Sequence, residues 1–440
     1  GIPVLSREKA LNLNYTRRYQ VSQLIIAIQK LDPNHRREVV ETGLEIGLQV
    51  KVLPGIDKWI NGQLSSSQLR QVHIEELLER DPIRLDNNQI SNDVHNKVIL
   101  VTGAAGSIGS EIVRQLLQYQ PARVILVDQA ESPLYDLQFE IKTDEKLRHV
   151  FEKALFLVAN VKDNFRMEQI FTTYKPQIVY HAAAYKHVPL MEENPYEAVL
   201  VNVFGTKTIA DLAVKYNARK FVMVSTDKAV NPTNVMGATK RIAEIYTQCI
   251  GNGHTQFITT RFGNVLGSNG SVIPIFKKQI EKGGPVTLTH KEIIRYFMTI
   301  PEACNLVLEA GAMGQGGEIF VFDMGKPVRI FDLARKMIQL SGFIPEKDIK
   351  IIETGLRTGE KLFEELLTNN ENILHTHHPK IMRARVESFN RKNIEHALNN
   401  LGSALIEKDI FLLVSKMKDM VPEYISNNSV FTSLDVKGKG

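Results

Sequence analysis

Lys97–Gln118 reads KVILVTGAAGSIGSEIVRQLLQ, and this one stretch decides the fold. A run of apolar and β-branched residues ends at Thr102, passes through a glycine loop and opens into a helical pattern. Gly103, Gly106 and Gly109 permit a sharp turn, close backbone approach to an anion and tight packing of the helix on the strand. The helix start, at Ser107 and Ile108, presents free N–H groups and the positive dipole end to a pyrophosphate. Glycines also serve plain turns, but a strand before the loop and a helix after it are the context that a dinucleotide requires.

The next apolar run, RVILVD, ends at Asp128. A carboxylate there accepts both ribose hydroxyls of an adenosine and repels a 2′-phosphate, and no Arg follows in QAESPLYD to compensate. NAD is therefore expected rather than NADP. Further runs follow as ALFLVA, QIVYHAA, KFVMVST and FITTRFGNV, separated by helical patterns. Strand and helix alternating in this way predict an α/β fold with a doubly wound parallel sheet of the Rossmann kind. Ala182, Ala183 and Ala184 are small enough to let a cofactor approach the fourth strand. An earlier alternation, VSQLIIAI then a helix then LQVKVLP, reads as the end of another α/β unit whose beginning is missing. The expected organisation is a partial N-terminal α/β unit over 1–80, a polar connector over 81–96 and the dinucleotide domain over 97–270. A smaller substrate-binding region with helices near Pro301–Glu309 and Ile330–Leu340 completes the chain over 271–440, which crosses between the two lobes.

Composition narrows the class. The 440 residues are 43% hydrophobic and 23% charged, ordinary for a globular protein of two or three packed units. A net charge of +5 without basic runs argues against a nucleic-acid partner; Lys277-Lys278 and Lys437-Gly438-Lys439 read as solvated surface. The two cysteines, Cys249 and Cys304, read as small apolar residues on helices in a reducing compartment. No apolar stretch approaches the ~18 residues that span a bilayer, and Gly1-Ile2-Pro3-Val4 lacks a signal pattern. A chain starting without Met is expected to be part of a longer one, cytoplasmic in itself. His375, His377 and His378 read as a solvated loop, with no metal site expected, and Trp59 as a packing residue of the N-terminal unit.

The fifth strand of the dinucleotide domain ends in Ser225-Thr226-Asp227-Lys228, where ligands sit in such sheets. Met236 and Lys240 then lie four residues apart on one helical face. The segments TGAAGSIGSEI, HAAAYKHVPLME, STDKAVNPTNVMGATKR, RFGNVLGSNGSVIP, RYFMTIPEA and GLRTGEKLFEELL resemble the extended short-chain dehydrogenase/reductase superfamily. Within it they most resemble the bacterial polysaccharide-biosynthesis UDP-N-acetylglucosamine 4,6-dehydratases, over roughly Lys97 to Met382. The first ~80 residues resemble half of a degenerate nucleotide-binding-like domain found in long members that carry a membrane anchor upstream.

The resemblance implies an NAD-dependent dehydration of a UDP-N-acetylhexosamine to a 4-keto-6-deoxy sugar for surface glycans, by a homo-oligomer that in full length is an inner-membrane protein. Thr226 would bond O4, Asp227 would act as the acid at the 6-hydroxyl and relay the 4-hydroxyl proton, and Lys228 would be the C5 base. The last role needs a depressed pKa, expected from burial and the Lys240 charge. Lys240 matches the Lys that bonds the nicotinamide ribose. Met236 stands where a Tyr base is usual, and a thioether cannot take that proton. Asn160-Val161 replaces an Asp-Val pair that reads the adenine. Asn264 matches a residue touching the substrate phosphates, and Arg357 and Glu360 match those that hold diphosphate and ribose, although Thr358 replaces a Pro. Arg295 is either a second phosphate ligand or a surface ion-pair partner, and Lys186 and His187 are candidates to line the sugar pocket. Two rivals remain open: a UDP-hexose 4-epimerase, and an inert NAD-binding regulatory module.

Overall fold

β-Branched runs buried on both faces form the centre of the protein. A computed structural model describes residues 3–28, 31–53, 69–72, 74–78, 86–251, 253–365, 373–384 and 389–435. Trp59 and Lys437-Gly438-Lys439 lie outside them. The chain divides into two units, one of Gly1–Pro82, Leu266–Thr299 and Pro327–Gly355, the other of Ile83–Val265, Ile300–Lys326 and Leu356–Gly440.

The larger unit is built on a nine-stranded sheet. In chain order its strands are β1 (Val98–Thr102), β2 (Arg123–Asp128), β3 (Ala154–Val158), β4 (Ile178–His181), β5 (Lys220–Val224), β6 (Gln256–Arg261), β7 (Glu318–Phe322), β8 (Ile373–His375) and β9 (Ile381–Ala384). Across the sheet they run β8-β9-β7-β6-β5-β4-β1-β2-β3. β1 to β7 are mutually parallel, and β9 and β8 close one edge antiparallel. The order reverses between β1 and β4, which places a crevice at their C-terminal ends.

Helices α1 (Ser107–Gln118), α2 (Glu131–Thr143), α3 (Asn164–Tyr174), α4 (Thr206–Lys215), α5 (Val235–Cys249), α6 (Ile300–Met313), α7 (Arg391–Glu407) and α8 (Ile410–Met420) belong to this unit. Their starts follow side-chain chemistry: Asp163, Asn234, Asn390 and Asp409 cap α3, α5, α7 and α8 by accepting from first-turn N–H groups. One apolar core joins Leu100, Ile125, Val179 and Phe221 of the sheet to Met236 and Ile242 of α5 and to Leu401 and Val414 of α7 and α8.

Residues 87–94 do not form a connector. Asp86 caps a helix, Asn87–Val94, whose Ile90 and Val94 are fully buried one turn apart, while Asp93 pairs with Arg219 and Lys220. Two apolar residues at that spacing suffice to seat a short helix on the larger unit.

In the smaller unit, Gln23–Ile26 pairs parallel with Gln49–Val52 through the helix Pro33–Glu45, and Arg70–Gln71 adds an antiparallel strand. The helix lies so close that a Cβ on Gly43 would meet Leu24 and Val50 within 3.0 Å. Val286–Leu288 pairs parallel with Ile351–Glu353, and the helix Ile330–Leu340 starts and ends where the sequence places it.

Candidate active site

The glycine loop departs β1 at Gly103, whose φ of +68° suits a residue without a Cβ. A Cβ at Gly109 would sit 2.0 Å from the Gly103 carbonyl oxygen, so only glycine lets α1 pack on the loop. Gly106 caps α1. Asp128, at the end of β2, accepts from Ala105 N–H and Ala130 N–H, each at 2.9 Å. Gly103, Gly106, Asp128, Asn160, Val161, Ala182 and Ala183 line one pocket, so the structure brings together seven of the residues read as cofactor ligands. Thr102 is not among them. Its hydroxyl is fully buried against His181 Nδ1 at 2.7 Å, and His181 Nε2 meets Thr206 Oγ1 at 2.9 Å. Burial, with Lys240 nearby, pushes His181 down to about 3, so this ring is a neutral strut beneath the loop.

At the end of β5, Asp227 is buried and its Oδ1 accepts from Thr226 Oγ1 at 2.8 Å and Lys228 Nζ at 3.0 Å. Lys228 Nζ also lies 3.3 Å from Asn264 Oδ1 and 3.5 Å from Glu364 Oε1. Two carboxylates, Asp227 and Glu364, thus face its amine from separate segments of the chain. α5 passes directly over this loop, since a Cβ on Gly237 would lie 2.1 Å from the Lys228 carbonyl oxygen. Met236 is packed into the core on α5. Lys240, one turn on, donates to the Val224 carbonyl at 2.8 Å, and burial lowers it to about 8 against the opposing pull of Glu244.

The segment 356–361 is pinned to the site from two sides. Thr233 Oγ1 and Asn234 Nδ2 donate to the Gly359 carbonyl, and Asn427 and Asn428 donate to the Glu360 and Leu356 carbonyls. Arg357 is exposed and pairs with Glu360 at 3.1 Å. Lys186 and His187 are solvent-accessible; partial burial lowers both, and Lys186 and then Arg357 lower His187 further. Arg295 belongs to the smaller unit, where it is buried rather than on the surface and donates to the Ile294 carbonyl. His378 is also buried, its Nδ1 accepting from Lys380 N–H, whereas a solvated loop was expected. No group of metal-ligating side chains occurs among the described residues.

Sequence reasoning missed four residues. Glu364 reaches Lys228 from 136 positions away, and Asn202, in a π-helical turn over Val199–Gly205, bonds both backbone groups of Tyr185. Glu244 and Arg261 form a fully buried pair that also holds Ser225 beside the Thr-Asp-Lys loop.

A glycine loop at the β1–α1 turn, a Thr-Asp-Lys loop after β5 and a lysine one turn into α5 define the extended short-chain dehydrogenase/reductase superfamily. The sequence profile of the polysaccharide biosynthesis protein family matches residues 99–386, and the chain belongs to that family. It is 48% identical over 387 residues to the capsular polysaccharide biosynthesis protein CapD of Staphylococcus aureus, covering 88% of this chain and 64% of that one. The chain thus spans under two thirds of that relative's length. An inverting UDP-N-acetylglucosamine 4,6-dehydratase of Campylobacter jejuni is 33% identical over 64% of this chain and 80% of that one, and a UDP-glucose 4-epimerase of Rickettsia rickettsii is 31% identical over 63% and 79%. The solved structure of Pen from Bacillus thuringiensis is 32% identical, with a TM-score of 0.60 over 68% of this chain and 90% of that one. No described helix is long and apolar enough to cross a membrane.

Proposed function

We propose that this chain carries the catalytic part of an NAD-dependent UDP-N-acetylhexosamine 4,6-dehydratase. The observation that carries the reading is one buried carboxylate, Asp227, shared between the Thr226 hydroxyl and the Lys228 amine while no ionisable group stands at position 236. The pocket suits a dinucleotide: the turn at Gly103 and the seat at Gly109 leave backbone against the pyrophosphate, and Asp128 is held by two N–H groups with lone pairs remaining for ribose hydroxyls. Held by these residues, NAD would supply a hydride acceptor for C4 of the sugar and a hydride donor for C6.

The chain's own residues then balance the protons. Thr226 passes the 4-hydroxyl proton to Asp227 over 2.8 Å. Lys228, entering as the free amine, takes the C5 proton made acidic by the neighbouring ketone. Asp227 gives its proton to the 6-hydroxyl, which leaves as water. Lys228 then returns a proton to C5. Both residues end as they began, and the proton lost from O4 departs in the water. Asn264 beside Lys228, with Arg357 and Glu360 on the pinned segment, supports a nucleotide diphosphate on the open side of this cluster. Lys186 and His187 extend it toward the sugar. The same cluster argues against an epimerase, which needs a 4-hydroxyl base but no C5 base.

Two outcomes follow. Met236→Ala should keep substantial turnover, because the side chain only packs, whereas Asp227→Asn should lose at least ~10²-fold through both proton steps. Near-native rates for Asp227→Asn, measured by product formation from UDP-N-acetylglucosamine, would remove that residue from the mechanism. NADP should bind more weakly than NAD by about 1–3 kcal/mol, the cost of setting a phosphate against the Asp128 carboxylate. Calorimetry on cofactor-stripped protein checks this, and equal affinities would contradict it.

A further inference from the structure

The pocket at the end of β1 is crossed by a chain of side-chain hydrogen bonds. Gln129 follows β2, Asn160 follows β3, and Tyr185 follows β4. Gln129 Nε2 donates to the Tyr185 hydroxyl at 3.3 Å, and Asn160 Nδ2 donates to Gln129 Oε1 at 2.6 Å. All three line the same pocket as the glycine loop. Because β1 lies between β4 and β2 in the sheet, the Tyr185–Gln129 bond must pass over the end of β1, where that loop begins. Tyr185 is set firmly. Asn202, fully buried, accepts from its N–H at 2.8 Å and donates to its carbonyl at 3.0 Å, while also donating to Thr239 on α5, next to Lys240. Gln129, by contrast, is exposed, and its side chain is bonded to Tyr185 and Asn160.

We propose that Tyr185 and Gln129 form a latch that retains the dinucleotide through the reaction; this rests on the function proposed above. The chemistry gives the latch a purpose. Hydride removed from C4 has to come back to C6 of the same sugar, so a cofactor that escaped between the two transfers would strand a half-converted substrate. Tyr185 is the fixed post, anchored to the catalytic helix through Asn202. Gln129 is the movable bar, free to swing outward when a dinucleotide enters.

The test uses the full chain loaded with NADH and chased with excess NAD, with the fall in bound-NADH fluorescence giving the dissociation rate. Tyr185→Phe, which keeps the ring, and Gln129→Ala should each speed dissociation about 3- to 10-fold, the range for losing one hydrogen bond. The double variant should release NADH no faster than the faster single one, because both remove the same bond. A general loosening of the fold would instead make the effects add. Unchanged release rates, or additive ones, overturn the latch alone. If the unaltered chain binds no NADH at all, the proposed function falls and the latch with it.

Discussion

Lys228→Met is expected to slow dehydration of UDP-N-acetylglucosamine by about 10²–10⁴-fold, the usual share of a positioned proton transfer. The substitution keeps an unbranched apolar stem, one atom shorter, and removes the amine. Dinucleotide binding and the first hydride transfer should survive, since neither needs a C5 base. Single-turnover absorbance should therefore show the reduced cofactor forming and persisting. The Asp227 and Glu364 carboxylates lie 3.0 and 3.5 Å from the amine, so the substitution also removes both of these contacts. Exchange of the C5 position at the native rate in the variant would assign the base elsewhere, with His187 next in line.

Arg261→Met should cost about 3–5 kcal/mol of stability, because it leaves the buried Glu244 carboxylate without its two-bonded partner, with only Arg241 at 3.3 Å and Ser225 against it. Both side chains are fully buried. Arg261 meets Glu244 through two bonds of 2.8 and 2.6 Å, and Ser225 and Arg241 complete its shell. Desolvation alone would raise the Glu244 pKa, but Arg261, Arg241 and Ser225 outweigh it and hold it below the ordinary value. A carboxyl lowered in the folded state adds stability above its unfolded pKa, and that contribution disappears as pH falls through the folded one. Denaturant melts at falling pH should show the native protein losing this increment only in acid. A loss below about 1 kcal/mol for Arg261→Met at neutral pH would mean that the pair is not buried as described. Through Glu244, the Arg of RFGNV ties the end of β6 to Ser225, immediately before Thr226.

The parts of this protein legible in its sequence are those set by short-range patterns. Strands such as VILVT and KFVMV are buried on both faces, so each reads as a continuous apolar run. The glycine loop, Asp128 and the Thr-Asp-Lys loop all fall at strand ends, where topology places ligands. What escaped reading depends on pairs distant in the chain. Glu364 meets Lys228, and Asn427 bonds the Glu360 carbonyl, through contacts that no local spacing encodes. Thr102 shows the same dependence, since a histidine 79 residues on takes up its hydroxyl. The helix Asn87–Val94 hid behind a polar sequence because only Ile90 and Val94 carry its burial. The surroundings of Lys228 were the least legible part of the site, since the groups near its amine come from separate segments.

Incubation of the NAD-loaded chain with UDP-N-acetylglucosamine in deuterated water, followed by mass analysis of the sugar nucleotide, tests the central claim most directly. Dehydration through the Thr226, Asp227 and Lys228 cluster predicts a product lighter by one water and carrying one deuterium, located at C5. A sugar nucleotide of unchanged elemental composition, with or without an altered configuration at C4, would contradict it.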